Sequence, residues 1–269
     1  MRTLDACPNP RLLLSFDFDG TLHDPATLPG VPVDFFTEVK RLRETQGAVW
    51  GINTGRSMPQ VLEGLVESKF PFLPDWVVGR EREIYFPNAV GRFAPQKDWN
   101  ERCEKEITRL FKKAKKTLQK IRSEVEQHTG ASYIEMKGEP GGLISRTEEE
   151  MEWIVGHIGP LMAEVPDLGW QRNSIYLRFG HTNYQKGSSL AEVARLYGIP
   201  TSHVFAMGDS YNDVEMLSEQ YSGGAACPGN AVGAIRELIL ARGGLVAEGS
   251  AGVGVVEVLR KIFPENSGS

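Results

Sequence analysis

The segment Arg11-Leu-Leu-Leu-Ser-Phe16 runs directly into Asp17-Phe-Asp-Gly-Thr21, and this junction carries the clearest signal of fold class in the chain. A short apolar run that ends abruptly in acidic residues is typical of a buried parallel strand followed by a loop. Open α/β sheets bind their ligands at the carboxyl ends of such strands. The segment therefore predicts an α/β protein in which the carboxylates of Asp17 and Asp19 reach one ligand site.

Strand and helix patterns alternate on both sides of a long central region. Their order predicts a doubly wound parallel sheet with helices on its faces. The predicted elements are a helix over 34–46, strands over 48–52 and 75–78, a hairpin over 83–86 and 91–93, a helix over 188–197, strands over 203–207, 223–227 and 245–247, and a helix that begins at Val214.

The central region predicts a smaller α+β block. Apolar residues recur every three or four positions from Asp98 to Gln127, which indicates a long amphipathic helix whose basic outer face we interpret as solvated. Strands are predicted over 132–136 and 174–179, with a helix over 148–165 between them. These elements are sufficient for a separate layer of sheet and helices.

Composition excludes several classes of protein. The chain has 269 residues with 30 Lys and Arg, 35 Asp and Glu and a formal charge of −5, which is typical of a folded globular protein. Nucleic-acid-binding proteins usually present a basic face, so we expect no nucleic-acid partner. No apolar stretch approaches the ~20 residues that cross a membrane. Three cysteines without metal-ligand spacing indicate neither disulfides nor zinc, and we expect a cytoplasmic protein.

A second acidic loop, Gly208-Asp-Ser-Tyr-Asn-Asp213, follows the predicted strand over 203–207. Either acidic loop alone fits a solvated turn, because Asp and Asn favour such positions. Two such loops at one sheet edge place several carboxylates side by side, which is repulsive unless a cation lies between them. Since Mg²⁺ prefers oxygen ligands, we expect a magnesium site.

Thr54 and Lys186 provide a hydroxyl and an ammonium group that suit the oxygens of a phosphoryl group. Each is uninformative by itself, since Thr54 also fits a turn and Lys186 also fits a solvated helix start. A lysine at the start of a helix opposes the helix dipole, however, and needs another reason to be there.

Taken in order, these motifs resemble those of the haloacid dehalogenase superfamily of phosphohydrolases. The later Pro228-Gly-Asn-Ala231 is similar to a further segment of that family. The resemblance implies a Rossmann-like catalytic core and a phosphatase activity. The four matching motifs are Asp17-Phe-Asp-Gly-Thr21, Thr54 in Asn-Thr-Gly-Arg, Lys186 in Gln-Lys-Gly, and Gly208-Asp-Ser-Tyr-Asn-Asp213.

The resemblance also implies roles for individual residues. Asp17 would attack phosphorus and become a phosphoaspartate, while Asp19 would protonate the leaving oxygen and later activate water. Asp19 would bind Mg²⁺ through its backbone carbonyl. The residues implied in phosphate binding are Thr54, Gly55, Arg56, Lys186 and Asn212, and those implied in Mg²⁺ binding are Asp17, Asp19, Asp209 and Asp213.

The motif spacing places an insertion between Thr54 and Lys186. We predict a discontinuous core formed by residues 1–93 and 180–269, with an inserted α+β block over 94–179. The resemblance implies that this block is a mobile cap of the type IIB subclass, which selects substrates. Candidate residues for contacting a hydroxylated substrate are Arg146, Arg172, Asn173 and Arg178.

A local resemblance to sucrose-phosphate phosphatases suggests the substrate class. It lies in Val78-Gly79 and Glu83-Ile-Tyr85, although Arg80-Glu81 stand where other members of the subclass usually have Asn-Gly. The predicted partner is a small-molecule phosphate ester, with a sugar or polyol phosphate as the leading hypothesis. We expect the chain to be a monomer or a homodimer.

Two alternative functions remain open from the sequence. A phosphomutase of the same superfamily would retain a bisphosphorylated intermediate and transfer phosphate without releasing it. A non-catalytic protein that binds a phosphorylated ligand would keep the fold without turnover. The presence of Asp17, Asp19, Thr54, Lys186 and Asp209 argues against this second alternative.

Overall fold

The computed structural model describes residues 2–135 and 141–265, and the chain divides into two compact units. The first unit comprises Met1–Asn100 and Lys186–Ser269, and the second comprises Glu101–Gln185. The predicted division placed these boundaries earlier, at 94 and 180. Trp99 and Asn100 belong to the first unit because they bind the backbone of the hairpin there: Trp99 Nε1 donates to Arg82 O at 2.7 Å, and Asn100 Nδ2 donates to Ile84 O at 3.0 Å.

Fourteen strands and seven α-helices occur in the described residues, along with two short 3₁₀ turns. The strands are β1 (Arg2–Thr3), β2 (Leu12–Phe16), β3 (Ala48–Asn53), β4 (Phe72–Leu73), β5 (Trp76–Gly79), β6 (Glu83–Pro87), β7 (Phe93–Pro95), β8 (Ser132–Ile134), β9 (Gly142–Ile144), β10 (Leu168–Asn173), β11 (Tyr176–His181), β12 (Val204–Met207), β13 (Gly224–Cys227) and β14 (Leu245–Val246). The helices are α1 (Val33–Gln46), α2 (Met58–Glu67), α3 (Lys97–His128), α4 (Glu148–Met162), α5 (Lys186–Tyr197), α6 (Gly233–Ala241) and α7 (Ala251–Ile262).

The first unit is built on an eight-stranded sheet of order β14-β13-β12-β2-β3-β5-β6-β7. The pairs from β14 to β5 are parallel, and β6 and β7 add an antiparallel edge. The consecutive residues Leu13 and Leu14 are both fully buried, so both faces of the central strand are covered. This arrangement confirms the predicted α/β fold with a doubly wound parallel sheet.

The strand order reverses at the centre of this sheet. The chain passes from β2 to β3 and β5 on one side, and later fills β12, β13 and β14 on the other side. Loops at such a reversal diverge to opposite faces of the sheet and leave a crevice at the carboxyl ends of β2 and β12. The two acidic loops therefore follow the two strands that flank the reversal.

An aromatic cluster fills the core on one face of this sheet. The Phe35 ring on α1 meets the Trp50 ring of β3 at 5.2 Å and the Phe16 ring of β2 at 5.3 Å, both edge to face. All three side chains are fully buried, and burial of rings this large is a major part of core stabilisation. As predicted, α1 ends at Gln46, and the following Gly47 has a φ of 63°, the left-handed conformation that closes a helix.

The second unit contains a four-stranded antiparallel sheet of order β10-β11-β9-β8. Its core joins Ile121 of α3 and Ile154 of α4 to Leu143, Leu177 and Phe179 of the sheet. The unit is therefore an α+β layer, as the pattern of the central region predicted. Among the described residues, no helix combines the length and the apolar character needed to span a membrane.

Several local predictions are corrected by the structure. The helix predicted from Val214 is wrong, because the chain forms a 3₁₀ turn at Tyr211–Asp213 and then a run of turns. Asp213 Oδ2 accepts hydrogen bonds from the amides of Asp209 and Ser210, which closes a tight loop and leaves no regular i to i+4 ladder after it. Strands β9 and β10 were not predicted. The helix predicted over 148–165 ends at Met162, and Met136 of the strand predicted over 132–136 lies outside the described residues.

Lys69 offers a test of local backbone strain. This exposed residue follows α2 with a φ of 53°, a left-handed conformation that costs about 1–2 kcal/mol for a residue with a Cβ. We expect Lys69→Gly to raise the free energy of unfolding by about 0.5–1 kcal/mol, since glycine adopts this φ without steric cost. Chemical denaturation monitored by circular dichroism measures the change. A matched Lys40→Gly substitution inside α1 should lower stability instead.

Candidate active site

The centre of the site is an ammonium group held between two carboxylates. Lys186 Nζ donates to Asp17 Oδ1 at 2.7 Å and to Asp213 Oδ1 at 2.6 Å. Lys186 and Asp213 are fully buried, and Asp17 is 5% exposed. Charges this deeply buried are retained only when they are paired, so these three side chains form one electrostatic unit.

The fold brings these residues together from three separate elements. Asp17 follows β2, and its amide donates to Met207 O at the end of β12 at 2.9 Å. Lys186 is the first residue of α5, and its carbonyl accepts a hydrogen bond from Asn53 Nδ2 at 2.9 Å. Glu215 Oε2 accepts from the Gly187 amide at 2.8 Å, which offsets the unfavourable position of a lysine at a helix N-terminus.

Asp209 completes a cluster of three acids. Carboxylate oxygens of Asp17, Asp209 and Asp213 lie within 4.8 Å of one another. Thr21 Oγ1 donates to Asp209 Oδ1 at 2.7 Å. Gly20 has a φ of 79°, and a Cβ there would lie 2.5 Å from Asp209 Oδ2, so the loop after β2 can approach Asp209 only with glycine at this position.

The charges in this cluster do not balance. Three carboxylates surround one ammonium group, and burial raises the pKa of Asp17 well above its ordinary value despite the attraction of Lys186. Burial and the neighbouring Asp213 carboxylate raise the pKa of Asp209 to about 6. The pKa of Lys186 is raised because Asp17, Asp213 and Glu81 outweigh the opposing effect of its burial. A divalent cation would offset the excess negative charge, and this all-oxygen donor set suits Mg²⁺.

Asp19 lies beside Arg56 rather than inside the acidic cluster. Arg56 Nη2 donates to Asp19 Oδ1 at 2.6 Å and Arg56 Nε donates to Asp19 Oδ2 at 2.8 Å, which forms a bidentate pair. The guanidinium also stacks on the Phe18 ring at 4.7 Å. The Asp19 side chain is 47% exposed, so this carboxylate is the solvent-facing acid of the loop after β2.

Thr54 anchors the loop that carries Arg56. Its side chain is 1% exposed, and its hydroxyl accepts a hydrogen bond from the Arg56 amide at 3.2 Å. Gln60 Oε1 accepts from the Ser57 amide at 2.9 Å, which provides one bond of the capping box at the start of α2. Thr54 and the half-buried Gly55 therefore belong to a short, well-bonded loop at the carboxyl end of β3.

The comparison with known protein families agrees with this site. A family model described as haloacid dehalogenase-like hydrolase matches residues 75–238, which is more than half of the chain. The chain belongs to this family. The resemblance drawn from its four motifs is thereby confirmed.

Two curated relatives match only part of this chain. A 5-amino-6-(5-phospho-D-ribitylamino)uracil phosphatase of Bacillus subtilis is 28% identical over 97 residues, which are 36% of this chain and 35% of that protein. A phosphoglycolate phosphatase of Methanoculleus marisnigri is 39% identical over 79 residues, which are 29% of this chain and 31% of that protein. The match therefore spans about a third of each of these curated relatives.

The fold likeness extends over nearly the whole chain. The crystal structure of the sucrose-phosphatase of Synechocystis sp. PCC6803, in complex with sucrose and phosphate, superposes with a TM-score of 0.69. The alignment covers 94% of this chain and 98% of that one at 15% identity. At this identity the likeness shows a shared fold of both units.

The roles implied by the haloacid dehalogenase motifs do not cover every residue of the site. Glu81 is 4% exposed, and its Oε1 accepts a hydrogen bond from Asn212 Nδ2 at 2.9 Å. Thr21 and Asn53 bind Asp209 and the Lys186 carbonyl, as described above, although the sequence assigned them no role. The signal available for Glu81 was its unusual place in Arg80-Glu81, where a turn-forming pair is expected.

The candidate substrate residues of the second unit make structural contacts of their own. Arg172 Nη1 donates to Glu152 Oε1 at 2.5 Å, and Arg146 Nε donates to Gly130 O at 3.1 Å. Arg178 and Asn173 lie on the neighbouring strands β11 and β10. Their proposed contact with substrate stays a prediction, as does the role of this unit as a cap.

Proposed function

We propose that the chain is a magnesium-dependent phosphatase that hydrolyses a small phosphomonoester through a phosphoaspartate. The observation that carries this proposal is the Lys186 ammonium, hydrogen-bonded to Asp17 and Asp213 within the cluster that Asp209 completes. A buried site with this composition suits a phosphoryl group only if a cation balances its acids. When bound, Mg²⁺ would be held by Asp17, Asp209 and the backbone carbonyl of Asp19, with support from Asp213, and would neutralise charge on the phosphoryl group.

Asp17 is suited to act as the nucleophile of the first step. Lys186 binds Asp17 Oδ1, which orients the carboxylate and leaves Oδ2 to attack phosphorus. The new Oδ2–P bond forms as the bond between phosphorus and the leaving oxygen breaks. Thr54, Gly55, Arg56 and Lys186 are the proposed phosphate-binding residues. Asn212 belongs to this proposed set as well, because one N–H of its Nδ2 donates to Glu81 and the second N–H can donate to a phosphate oxygen.

Asp19 is the proposed acid and base. It would donate a proton to the leaving oxygen, and later accept one from the water that attacks the phosphoaspartate. That second attack releases inorganic phosphate and restores the Asp17 carboxylate. Because Arg56 occupies both oxygens of Asp19, the guanidinium must release one of them before Asp19 carries a proton.

The proposed substrate class is a sugar or polyol phosphate. The named relatives act on a phosphorylated ribityl compound and on phosphoglycolate, and the sucrose-phosphatase crystal contains sucrose and phosphate. The phosphorylated ribityl compound and phosphoglycolate are small anions, and the ribityl compound and sucrose carry free hydroxyl groups. The strands of the second unit carry polar side chains, including Gln171 and Arg172, of the kind that bind hydroxyl groups.

A phosphate-release screen tests the proposed function. The full chain is incubated with sugar, polyol, nucleotide and cofactor phosphates, with Mg²⁺ or with EDTA, and kcat/KM is measured for each. We expect Mg²⁺-dependent release of inorganic phosphate, fastest with a sugar or polyol phosphate. Turnover of nucleotides alone would contradict the substrate class, and transfer of phosphate to a second sugar position without release would indicate a mutase.

The raised pKa of Asp209, about 6, predicts how Mg²⁺ stabilises the protein at different pH values. Without metal, the folded chain binds a proton at Asp209 at pH values where the unfolded chain has already released it. Ionised Asp209 therefore lowers the stability of the folded chain above about pH 6, and this loss is relieved as the pH falls through 6. Mg²⁺ replaces that proton. We therefore expect Mg²⁺ to raise Tm more at about pH 7.5 than at about pH 5. The Asp209→Asn variant should lose most of the difference, and equal shifts in the wild type would contradict the prediction.

A further inference from the structure

Glu81 links three loops of the site. Its amide donates to Thr54 O at 2.8 Å, and its carbonyl accepts from Ser189 Oγ in the first turn of α5 at 3.2 Å. Its carboxylate accepts from Asn212 Nδ2 at 2.9 Å. One buried residue of the β5–β6 turn therefore contacts the loop after β3, the helix that begins with Lys186 and the loop after β12.

The backbone at this turn is strained. Arg80 has a φ of 48° and Glu81 a φ of 66°, which places two consecutive residues with side chains in the left-handed region. The Arg80 amide donates to Arg56 O at 2.8 Å, so the loop after β3 holds both residues in this conformation. Strain of this kind persists where the surrounding contacts require it, and it is concentrated at functional sites.

The carboxylate of Glu81 determines which way the Asn212 carboxamide faces. An ionised carboxylate only accepts hydrogen bonds, so Asn212 must present its NH₂ group to Glu81. The carboxamide oxygen, Oδ1, then faces away from Glu81. A glutamine at position 81 would lose this selectivity, because its side chain both donates and accepts.

Asn212 Oδ1 is buried and has no hydrogen-bond partner among the described residues, and Asn212 as a whole is only 9% exposed. A buried acceptor without a partner is costly and requires a donor or a cation. Phosphate oxygens are themselves acceptors and do not satisfy it. Asn212 lies in the loop after β12, between Asp209 and Asp213 of the acidic cluster, and a Mg²⁺ ion in that cluster, or a water molecule bound to the ion, would supply the missing partner.

We propose that Glu81 is a positioning residue for the magnesium site, acting through Asn212. Its carboxylate holds the Asn212 carboxamide with Oδ1 available to the ion or to its bound water. The inference rests on the proposed function and deepens it, because it assigns a role to a residue outside the four motifs. Partners of this kind orient the groups that surround a metal, and their loss typically weakens metal binding about 10–100-fold.

Calorimetric titration of the full chain with Mg²⁺ alone tests the role of Glu81. We expect Glu81→Gln to raise the Kd for Mg²⁺ about 10-fold or more. Glu81→Gly should weaken Mg²⁺ binding by a similar factor. It should not lower Tm, because glycine adopts the left-handed backbone conformation of this position without strain. Glu83→Gln is the matched control, since it removes a charge from the same hairpin but from a side chain that contacts Tyr85 and Arg80. Its Kd should be that of the wild type.

A double-mutant cycle tests the route through Asn212. In an Asn212→Ala background, Glu81→Gln should cause no further loss of Mg²⁺ affinity, because the carboxamide that it orients is absent. A full additional loss there, or a wild-type Kd in either Glu81 variant alone, would overturn the proposal. Phosphate release is assayed separately, so a wild-type chain that binds Mg²⁺ but releases no phosphate would contradict the proposed function and leave the Glu81 comparison intact.

Discussion

The Asp17→Asn variant is expected to release phosphate about 10⁴-fold or more slowly than the wild type, because a carboxamide is a poor nucleophile toward phosphorus. The loss should appear in kcat, with the phosphate-release assay and the best substrate of the screen. The fold should be retained. Burial raises the pKa of Asp17 well above its ordinary value, so its charged form is unfavourable in the metal-free protein, and a neutral side chain of the same shape removes that cost.

Two measurements complete the test of Asp17. The Tm of Asp17→Asn in EDTA should equal or exceed that of the wild type, which separates loss of the nucleophile from unfolding. Asp34→Asn is the matched control, since Asp34 forms an exposed ion pair with Arg260 at 3.0 Å and should leave turnover unchanged. Turnover of Asp17→Asn within about tenfold of the wild type would contradict the phosphoaspartate mechanism.

The Lys186→Met variant is expected to lose both turnover and stability. Methionine keeps much of the volume but leaves Asp17 and Asp213 buried without their cation, and breaking a buried ion pair in this way costs about 3–5 kcal/mol. For a chain of this size the loss corresponds to a Tm lower by about 6–20 °C. The pKa of Lys186 is raised, so the contribution of its ion pairs to the free energy of unfolding is fully present at neutral pH and is lost only in strong alkali.

The matched control for Lys186 is an exposed lysine with the same hydrogen-bond length. Lys261 Nζ donates to Glu257 Oε1 at 2.7 Å, but its side chain is 53% exposed. Lys261→Met should therefore change Tm little, because exposed ion pairs are screened by water. Burial raises the pKa of Asp17 well above its ordinary value, so the difference in Tm between Lys186→Met and the wild type should shrink as the pH falls and Asp17 gains a proton. A deficit that does not change with pH would contradict an electrostatic cause.

Much of the fold could be predicted because its local signals agree with one another. The apolar segment 11–16, the helix pattern over 34–46 and the periodicity of α3 each predict an element that the structure contains. The short strand Gly142–Ile144 and the strand Leu168–Asn173 lack such a signal, since only one residue of the first is fully buried and the second mixes apolar with polar residues. Their pairing with β11 decides their conformation, and such pairing depends on distant residues.

The helix predicted from Val214 failed for a related reason. The sequence after Asp213 has helical spacing, but the Asp213 side chain is already committed to the amides of Asp209 and Ser210 and to Lys186. These contacts close a turn where a helix would otherwise begin. Lys186 is distant from Asp213 in the sequence, so the local pattern around Asp213 does not indicate their hydrogen bond.

The order of the four motifs, the family and the positions of the acids can be read from the sequence alone, because each motif is a short run whose residue types suit one loop at a strand end. Which of these groups meet depends on the folded chain. It placed Lys186 between Asp17 and Asp213, directed Asp19 to Arg56 and brought Glu81 to Asn212. Contacts between residues so far apart along the chain depend on how β2, β12 and α5 pack, and that packing is a property of the whole core.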